Sequence, residues 1–216
     1  MAAADSFKAR LNRSIPWIKP LLFIGLLTPM GRWIWSAAHG QLGADPIAFL
    51  THASGSWALY SLFASLAMTP LRKLSGWAGA IRFRRMLGLF AFFYASVHLS
   101  VYLILDLGLA VGHLAEDIYK RPYITVGFLA WLLMLPLALT STQAMMRRLG
   151  RRWQRLHRLV YLCAALACLH YWWLVKADWR WPAFFAALYL LLMAARWNRA
   201  QSVGKKAALR TEQSPL

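Results

Sequence analysis

The sequence predicts an all-α integral membrane protein, folded as a six-transmembrane helix bundle, and three observations support this fold class. The chain of 216 residues is 60% hydrophobic, with a mean hydropathy of +0.44. Its apolar residues form unbroken blocks rather than the amphipathic pattern of a soluble domain. Its basic residues collect in alternate connections between those blocks. One membrane domain therefore accounts for nearly the whole chain.

Six apolar blocks are each close to the length of about 20 residues that a helix needs to cross a bilayer. They cover 17–38, 51–69, 87–107, 123–140, 154–175 and 181–196. We expect a transmembrane domain at 16–198, a mobile basic segment at 1–15 and a cytoplasmic tail at 199–216. The first span is expected to stay in the protein as its insertion signal, because no small-residue cleavage site precedes it.

The formal net charge of +18 follows this topology and does not indicate a nucleic-acid-binding surface. Twenty of the 25 Lys and Arg residues lie before span 1, after spans 2 and 4, and in the tail. The other three connections hold only Lys120, Arg121, Lys176 and Arg180, and Arg32 lies within span 1. The positive-inside rule then predicts that both termini are cytoplasmic.

Three histidines within spans 3 and 5 are the candidate site residues. A histidine inside the hydrocarbon is costly and usually marks a pathway or a cofactor. A bilayer-buried haem b needs an axial imidazole on each side of the iron, from helices that face each other. His98 and His170 lie at depths that differ by about 6 Å along their helices. We therefore predict that they are the axial pair of a haem-binding core, in the outer half of the membrane.

His157 has no histidine at its own depth on span 3. It could bind a second haem from one side, contact a haem propionate or a flavin, or contribute to a quinone pocket. On an ideal helix the rings of His157 and His170 would point about 140° apart. A single stripe facing the haem would therefore require a distorted helix.

The remaining histidines and the cysteines suit simpler roles. His39 and His52, near the outer ends of spans 1 and 2, are expected to be interfacial or structural residues, or contacts to a quinone or a haem edge. Cys163 and Cys168 point apart on one helix, so we expect two free packing residues and no disulfide.

Two other function classes stay open on these residues. Buried histidines also suit proton relays in a transporter, although no intramembrane chain of acidic residues and no inverted repeat is visible. A stand-alone transmembrane ferric reductase would reduce metal at its outer face. The chain has no G-x-G-x-x-G dinucleotide loop, and its outer loops are too small for a substrate-reducing site. A haem protein of this form would need partners on both sides of the membrane.

An ordered series of motifs runs through the chain between about residues 20 and 195. The series is Gly43-Ala44-Asp45-Pro46, Arg84-Arg85-x-Leu87-Gly88-Leu89, His98-Leu99-Ser100-x-Tyr102, Thr140-Ser141-Thr142-Gln143-Ala144-Met145, Leu149-Gly150-x-x-Trp153-x-x-Leu156-His157 and His170-Tyr171. It closely resembles the MsrQ family, the haem-binding membrane subunits of the bacterial periplasmic methionine-sulfoxide reductase system. That family belongs to the ferric-reductase-like transmembrane superfamily, which includes the NADPH oxidases.

The resemblance implies a b-type cytochrome in the bacterial inner membrane that transfers electrons and is not itself the substrate-reducing subunit. Its donor would be the quinone pool or a cytoplasmic flavin reductase. Its acceptor would be a periplasmic molybdopterin enzyme that reduces methionine sulfoxide in proteins and so supports their repair. FMN is implied as a further cofactor.

The resemblance also covers the site residues, since His98, His157 and His170 match the family's haem motifs. The larger oxidases of the superfamily have two histidines on each haem helix, whereas span 3 here has one. The number of haems, one or two, therefore stays open.

Overall fold

A computed structural model describes residues 2–109 and 111–212, with side chains described at 6–109 and 116–196. The helices are α1 (Ala2–Ala38), α2 (Pro46–Ser75), α3 (Ile81–Ser100), α4 (Val111–Lys120), α5 (Pro122–Leu139), α6 (Gln143–Leu149), α7 (Arg151–Leu156), α8 (Leu159–Leu174) and α9 (Arg180–Glu212). A 3-10 turn precedes α3, and a π-helical segment, Val101–Asp106, follows it. No strand occurs within the described residues. The all-α expectation is confirmed.

The long helices follow the apolar blocks of the sequence. Helices α1, α2, α3, α5, α8 and α9 each overlap one of the six predicted spans. Three helical stretches are long and apolar enough to cross a membrane by length and composition alone, namely Ser6–Ala38, Ala78–Asp106 and Pro122–Leu139. The count of six crossings stays a prediction.

The N-terminal segment is helical and contacts the turn before α3. Residues 2–15, expected to be mobile, form the first turns of α1. The Oδ1 atom of Asn12 accepts a hydrogen bond of 2.8 Å from Nε1 of Trp77, and Ile15 is buried. These contacts attach the start of α1 to the turn before α3. Of the predicted tail, residues 213–216 lie outside the described part of the chain.

The predicted fifth span is not one continuous helix. Helix α7 ends at Leu156 and α8 begins at Leu159, so the helix is interrupted at His157 and Arg158. The interruption invalidates the rotation counted along an ideal helix between His157 and His170. Their relative directions are set by the break instead.

Two helical hairpins, α2–α3 and α5–α8, form the centre of the bundle. Their facing sides share a core that includes Leu62, Leu66, Ala91, Met134 and Ala164, and α9 packs against it. Helix α1 covers the other side of α2 and α3, where the buried Tyr94 hydroxyl donates a hydrogen bond to the carbonyl of Leu26. The arrangement leaves space between the hairpins, where the candidate site lies.

Local sequence signals explain the bounds of α2. Asp45 caps its start, because a carboxylate oxygen accepts a 2.9 Å hydrogen bond from the amide of Ala48, and Pro46 occupies the first turn. Gly76 ends the helix with φ of 67°, a left-handed conformation that glycine adopts without strain.

A proline within α2 determines how α9 is attached. Pro70 has no amide hydrogen, so the carbonyl of Leu66 lacks its usual partner in the helix. Arg196 of α9 supplies one, since its Nη2 lies 2.6 Å from that oxygen while Nη1 lies 2.7 Å from the carbonyl of Leu192. The guanidinium also lies over the ring of Tyr161, 5.2 Å from its centre. One cation therefore connects α2, α8 and α9.

Candidate haem site

The candidate site is a cavity of about 470 Å³ between the two hairpins, with α9 along one side. Small and apolar residues such as Ala91, Ala130 and Ala167 form much of its wall. It extends from Leu62 in the bundle core to Arg121 at the outer connection. A largely apolar cavity of this size with a few polar groups is typical of a cofactor site.

His98 lines the cavity from α3 and is oriented by α2. Its Nδ1 lies 2.9 Å from the carbonyl oxygen of Thr51. Because a carbonyl can only accept, Nδ1 carries the hydrogen and Nε2 keeps a free lone pair. The ring lies against Gly55, where an added Cβ would come within 3.1 Å of Nδ1. Glycine at this position lets the ring approach α2 closely enough for the hydrogen bond.

His170 lines the opposite side of the cavity from α8 and is oriented by α5 in the same way. Its Nδ1 lies 2.7 Å from the carbonyl oxygen of Tyr123, so its Nε2 is also free. The ring lies against Gly127, where an added Cβ would come within 2.7 Å of Nδ1. The contact here is closer than the one between His98 and Gly55.

The two half-sites are related by the same sequence spacing. The separation is 47 residues both from Thr51 to His98 and from Tyr123 to His170. In each half the glycine lies one helical turn after the residue that supplies the carbonyl. The hairpins α2–α3 and α5–α8 therefore supply equivalent histidines to a shared cavity. This equal spacing is a signal in the sequence that the motif reading missed.

The two imidazoles line the same cavity at a separation that suits one metal atom between them. Their ring centres are 6.1 Å apart and their planes are inclined by 80°. A metal ion bound about 2 Å from one nitrogen of each ring requires ring centres about 6 Å apart. Two neutral imidazoles with free Nε2 atoms are also the ligands that haem iron accepts. The residues present thus fit a haem held between α3 and α8.

Charged and hydroxyl groups gather at the outer end of the cavity. The Tyr102 hydroxyl donates a hydrogen bond of 2.6 Å to Asp117, and Nη1 of Arg121 lies 3.3 Å from the same carboxylate. Arg121 also lies over the ring of Tyr123, 5.3 Å from its centre. Arg121, Tyr102 and His52 all line the cavity. Asp106 lines the same end, so Arg121 is the cation of the cavity lining that could pair with a haem carboxylate.

His157 lies apart from this pair, at the break between α7 and α8. Its ring stacks on Trp153 with centres 3.9 Å apart, and its Nδ1 lies 3.1 Å from the Trp153 carbonyl. Its Nε2 lies 3.5 Å from the hydroxyl of Ser141. Trp153 in turn donates to the Thr140 carbonyl at 2.9 Å. Within the described side chains, no second histidine ring packs against it.

His39 is exposed and stacks on Trp35, with its Nδ1 2.8 Å from the Trp35 carbonyl, so it lies away from the cavity that His52 lines. Cys163 and Cys168 are free and buried, as expected. Among the described residues, no group of three or more His, Cys, Asp or Glu could hold a metal ion. The pair of His98 and His170 is thus the part of the described chain best suited to a metal-containing cofactor.

Comparisons with known proteins agree with this fold. A family described as ferric reductase like transmembrane component matches residues 54–168. This range includes His98 and the two glycines, Gly55 and Gly127, that lie against the cavity histidines. No solved structure matches the chain significantly.

Curated relatives cover nearly the whole chain. A protein of Xanthomonas euvesicatoria pv. vesicatoria is 49% identical over 96% of this chain and 98% of its own length. One from Xanthomonas campestris pv. campestris is 58% identical over 88% of this chain and 91% of its own length. One from Herminiimonas arsenicoxydans is 51% identical over 83% of this chain and 84% of its own length. Each is named protein-methionine-sulfoxide reductase heme-binding subunit MsrQ. The chain belongs to the MsrQ family of ferric-reductase-like transmembrane proteins.

Proposed function

We propose that the protein is a b-type cytochrome subunit that carries electrons across the bacterial inner membrane to a periplasmic methionine-sulfoxide reductase. The observation that carries the proposal is the pair of His98 and His170, which line one cavity with ring centres 6.1 Å apart and each have Nδ1 hydrogen-bonded to a carbonyl, so that Nε2 is free. The relatives' printed name, which specifies haem and methionine-sulfoxide reductase, supports it. A haem bound there would supply one-electron chemistry through its iron.

The protein's own residues perform three tasks in this proposal. The carbonyls of Thr51 and Tyr123 hold each imidazole in one tautomer and one orientation, as outer partners of metal-binding histidines commonly do. The largely apolar wall of the cavity would limit the access of water to a bound cofactor. Arg121, at the outer end, would pair with a haem carboxylate and orient the cofactor's polar edge toward the periplasm.

Electron balance defines what the partners must supply. Reduction of one methionine sulfoxide to methionine consumes two electrons and two protons and releases one water. A single haem passes electrons one at a time, so two successive transfers serve one turnover of the periplasmic enzyme. We propose reduced quinone or a cytoplasmic flavin reductase as donor, with FMN as a further cofactor, and a molybdopterin subunit as acceptor. His157, near the basic end of the bundle, is the candidate contact for a second haem, a flavin or a quinone.

The test is an absorption spectrum of the detergent-purified protein before and after dithionite, with haem quantified per chain. We expect a sharp reduced α band, which His98→Ala and His170→Ala each abolish because low-spin haem needs both axial ligands. His39→Ala, an exposed histidine away from the cavity, is the matched control and keeps the band. An unaltered spectrum in His98→Ala would contradict the pairing.

The same preparation tests the role of His157. We expect His157→Ala to keep the haem held by the other two histidines, because its ring packs against Trp153 and Ser141 instead. The haem content of the unmodified protein, one or two per chain, decides whether a second haem is present. Loss of all haem in His157→Ala would contradict this assignment.

The family's ferric-reductase description favours a second candidate function, direct reduction of ferric ions at the outer face. The two functions differ in their dependence on a partner. Supplied with a quinol in the bilayer as electron donor, a stand-alone reductase in proteoliposomes would reduce external ferric citrate without any added protein. An electron-transfer subunit would oxidise its donor only when the periplasmic catalytic subunit and its substrate are present.

A further inference from the structure

A second groove lies on the bundle surface between α1 and α3, away from the histidine cavity. Its volume is about 510 Å³. Three cations, Lys19, Arg82 and Arg85, and six apolar side chains line it, and no acidic residue does. Within the part of the chain whose side chains are described, none of the three cations has a hydrogen-bond or ion-pair partner. The charge of the groove is therefore uncompensated by the protein.

The cations and the apolar residues occupy different parts of the groove. Helices α1 and α3 run in the same direction, since Ile15 contacts the turn before α3 while Trp33 packs on Tyr94 further along. Lys19 on α1 and Arg82 and Arg85 on α3 are consequently at the same end of the groove. Phe23 and Leu27 continue along α1 from Lys19, one helical turn apart, and Leu89 and Phe93 continue along α3.

The dimensions of the apolar part match one leaflet of a membrane. From Lys19 to Leu27 the helix rises about 12 Å, and from Arg82 to Phe93 about 16 Å. One leaflet contributes about 15 Å to a hydrocarbon core of about 30 Å. Side chains along this length are partly open to the surroundings, with Phe23 48% and Phe93 36% exposed. A soluble anion would use only the cationic end and would leave this apolar length unfilled.

We propose that the groove binds one anionic glycerophospholipid of the cytoplasmic leaflet. The phosphate of the lipid pairs with Lys19, Arg82 and Arg85, and an acyl chain lies along Phe23, Leu27, Leu89 and Phe93. Basic pockets between transmembrane helices on the cytoplasmic side bind anionic headgroups in this way. The site stabilises the packing of α1 on α3, and it does not depend on haem binding.

The test uses native mass spectrometry of the detergent-purified full chain titrated with phosphatidylglycerol, with phosphatidylcholine as the zwitterionic comparison. The groove variant is Lys19→Gln/Arg82→Gln/Arg85→Gln. The control is Arg147→Gln/Arg148→Gln/Arg151→Gln, which removes three exposed cations from the same predicted side of the membrane. Each cation near an anionic headgroup strengthens lipid binding by about five-fold. We therefore expect the groove variant to bind phosphatidylglycerol about 100-fold more weakly than the unmodified protein. The control should bind within about two-fold of the unmodified protein, because its three cations do not line the groove.

Three results would overturn the proposal. The first is equal loss of phosphatidylglycerol in the groove and control variants, which would indicate general attraction to a basic surface. The second is equal binding of the two lipids by the unmodified protein, which decides the matter even if the groove variant does not fold. The third is a retained mass that matches a flavin nucleotide in place of a lipid.

Discussion

At the residue scale, the candidate site depends on backbone carbonyls and glycines as much as on histidines. The depth of each histidine along its helix could be estimated from sequence, and that estimate paired His98 with His170. The partners that orient them, Thr51 and Tyr123, contribute only a carbonyl oxygen, which every residue type possesses. Their side chains therefore carried no signal of the role. Gly55 and Gly127 matter for the same reason, because what they provide is the absence of a side chain.

We predict that alanine at Gly127 disturbs haem binding more than alanine at Gly55. The new Cβ would lie 2.7 Å from the His170 ring in the first case and 3.1 Å from the His98 ring in the second. Overpacking of this kind typically costs about 1–3 kcal/mol. We expect reduced haem content and a weakened low-spin spectrum in Gly127→Ala, measured as haem per chain.

The control for this series is Gly25→Ala on α1, where an added Cβ meets nothing within 4 Å. It should bind haem as the unmodified protein does. If Gly127→Ala also retained full haem with an unchanged spectrum, the close approach of His170 to α5 would not be required for the site.

At the scale of elements, two helical hairpins with the same internal spacing form the site. Each hairpin also has one helix that is not regular at its end, through a break or a π-helical segment. The break at His157 and Arg158 separates α7 from α8, and the π-helical segment follows directly after the helix that carries His98. Hydropathy did not indicate either feature, because a broken or π-helical turn can have the same composition as a turn of regular α-helix. The hydrogen bond between Arg196 and the carbonyl that Pro70 leaves free was also unpredictable, because Leu66 and Arg196 are 130 residues apart along the chain.

We predict that Arg196→Met lowers the thermal stability of the bundle. The substitution leaves the Leu66 carbonyl without a partner and removes two charge-assisted hydrogen bonds, each worth about 1.5–3 kcal/mol. The measurement is Tm in detergent, obtained from fluorescence-detected size-exclusion chromatography after heating. Arg158→Met removes an exposed cation near the same end of the bundle and should leave Tm unchanged. Equal Tm values for the two variants would show that α9 does not need this connection.

At the scale of the whole molecule, the asymmetric distribution of basic residues predicts the orientation in the membrane. Twenty of 25 Lys and Arg residues lie on one predicted side. The three stretches that meet length and hydropathy criteria support a membrane-spanning chain, and the family is a transmembrane one. In the predicted orientation the cluster of Tyr102, Asp117 and Arg121 would face the periplasm, where the proposed acceptor is located.

We predict that cysteines introduced at Gln41 and Ala177 react with a membrane-impermeant maleimide added outside spheroplasts. Cysteines at Ser75 and Gln143 should react only after permeabilisation, because the positive-inside rule places them in the cytoplasm. All four positions are exposed, and the native Cys163 and Cys168 are buried, so background labelling is low. Labelling of Ser75→Cys from outside would contradict the predicted topology and with it the proposed direction of electron transfer.

The sequence by itself determined the helical class, the apolar blocks and the histidines suited to a cofactor, because hydrophobic length, charge and residue chemistry are properties of the chain alone. Only the tertiary structure decided which groups meet. It placed the His98 and His170 rings 6.1 Å apart, turned each Nδ1 toward a carbonyl of the neighbouring helix, and packed His157 against Trp153. Helix breaks, close approach at glycine and hydrogen bonds to backbone carbonyls depend on neighbours that are distant in sequence, so they arise only when the hairpins pack together.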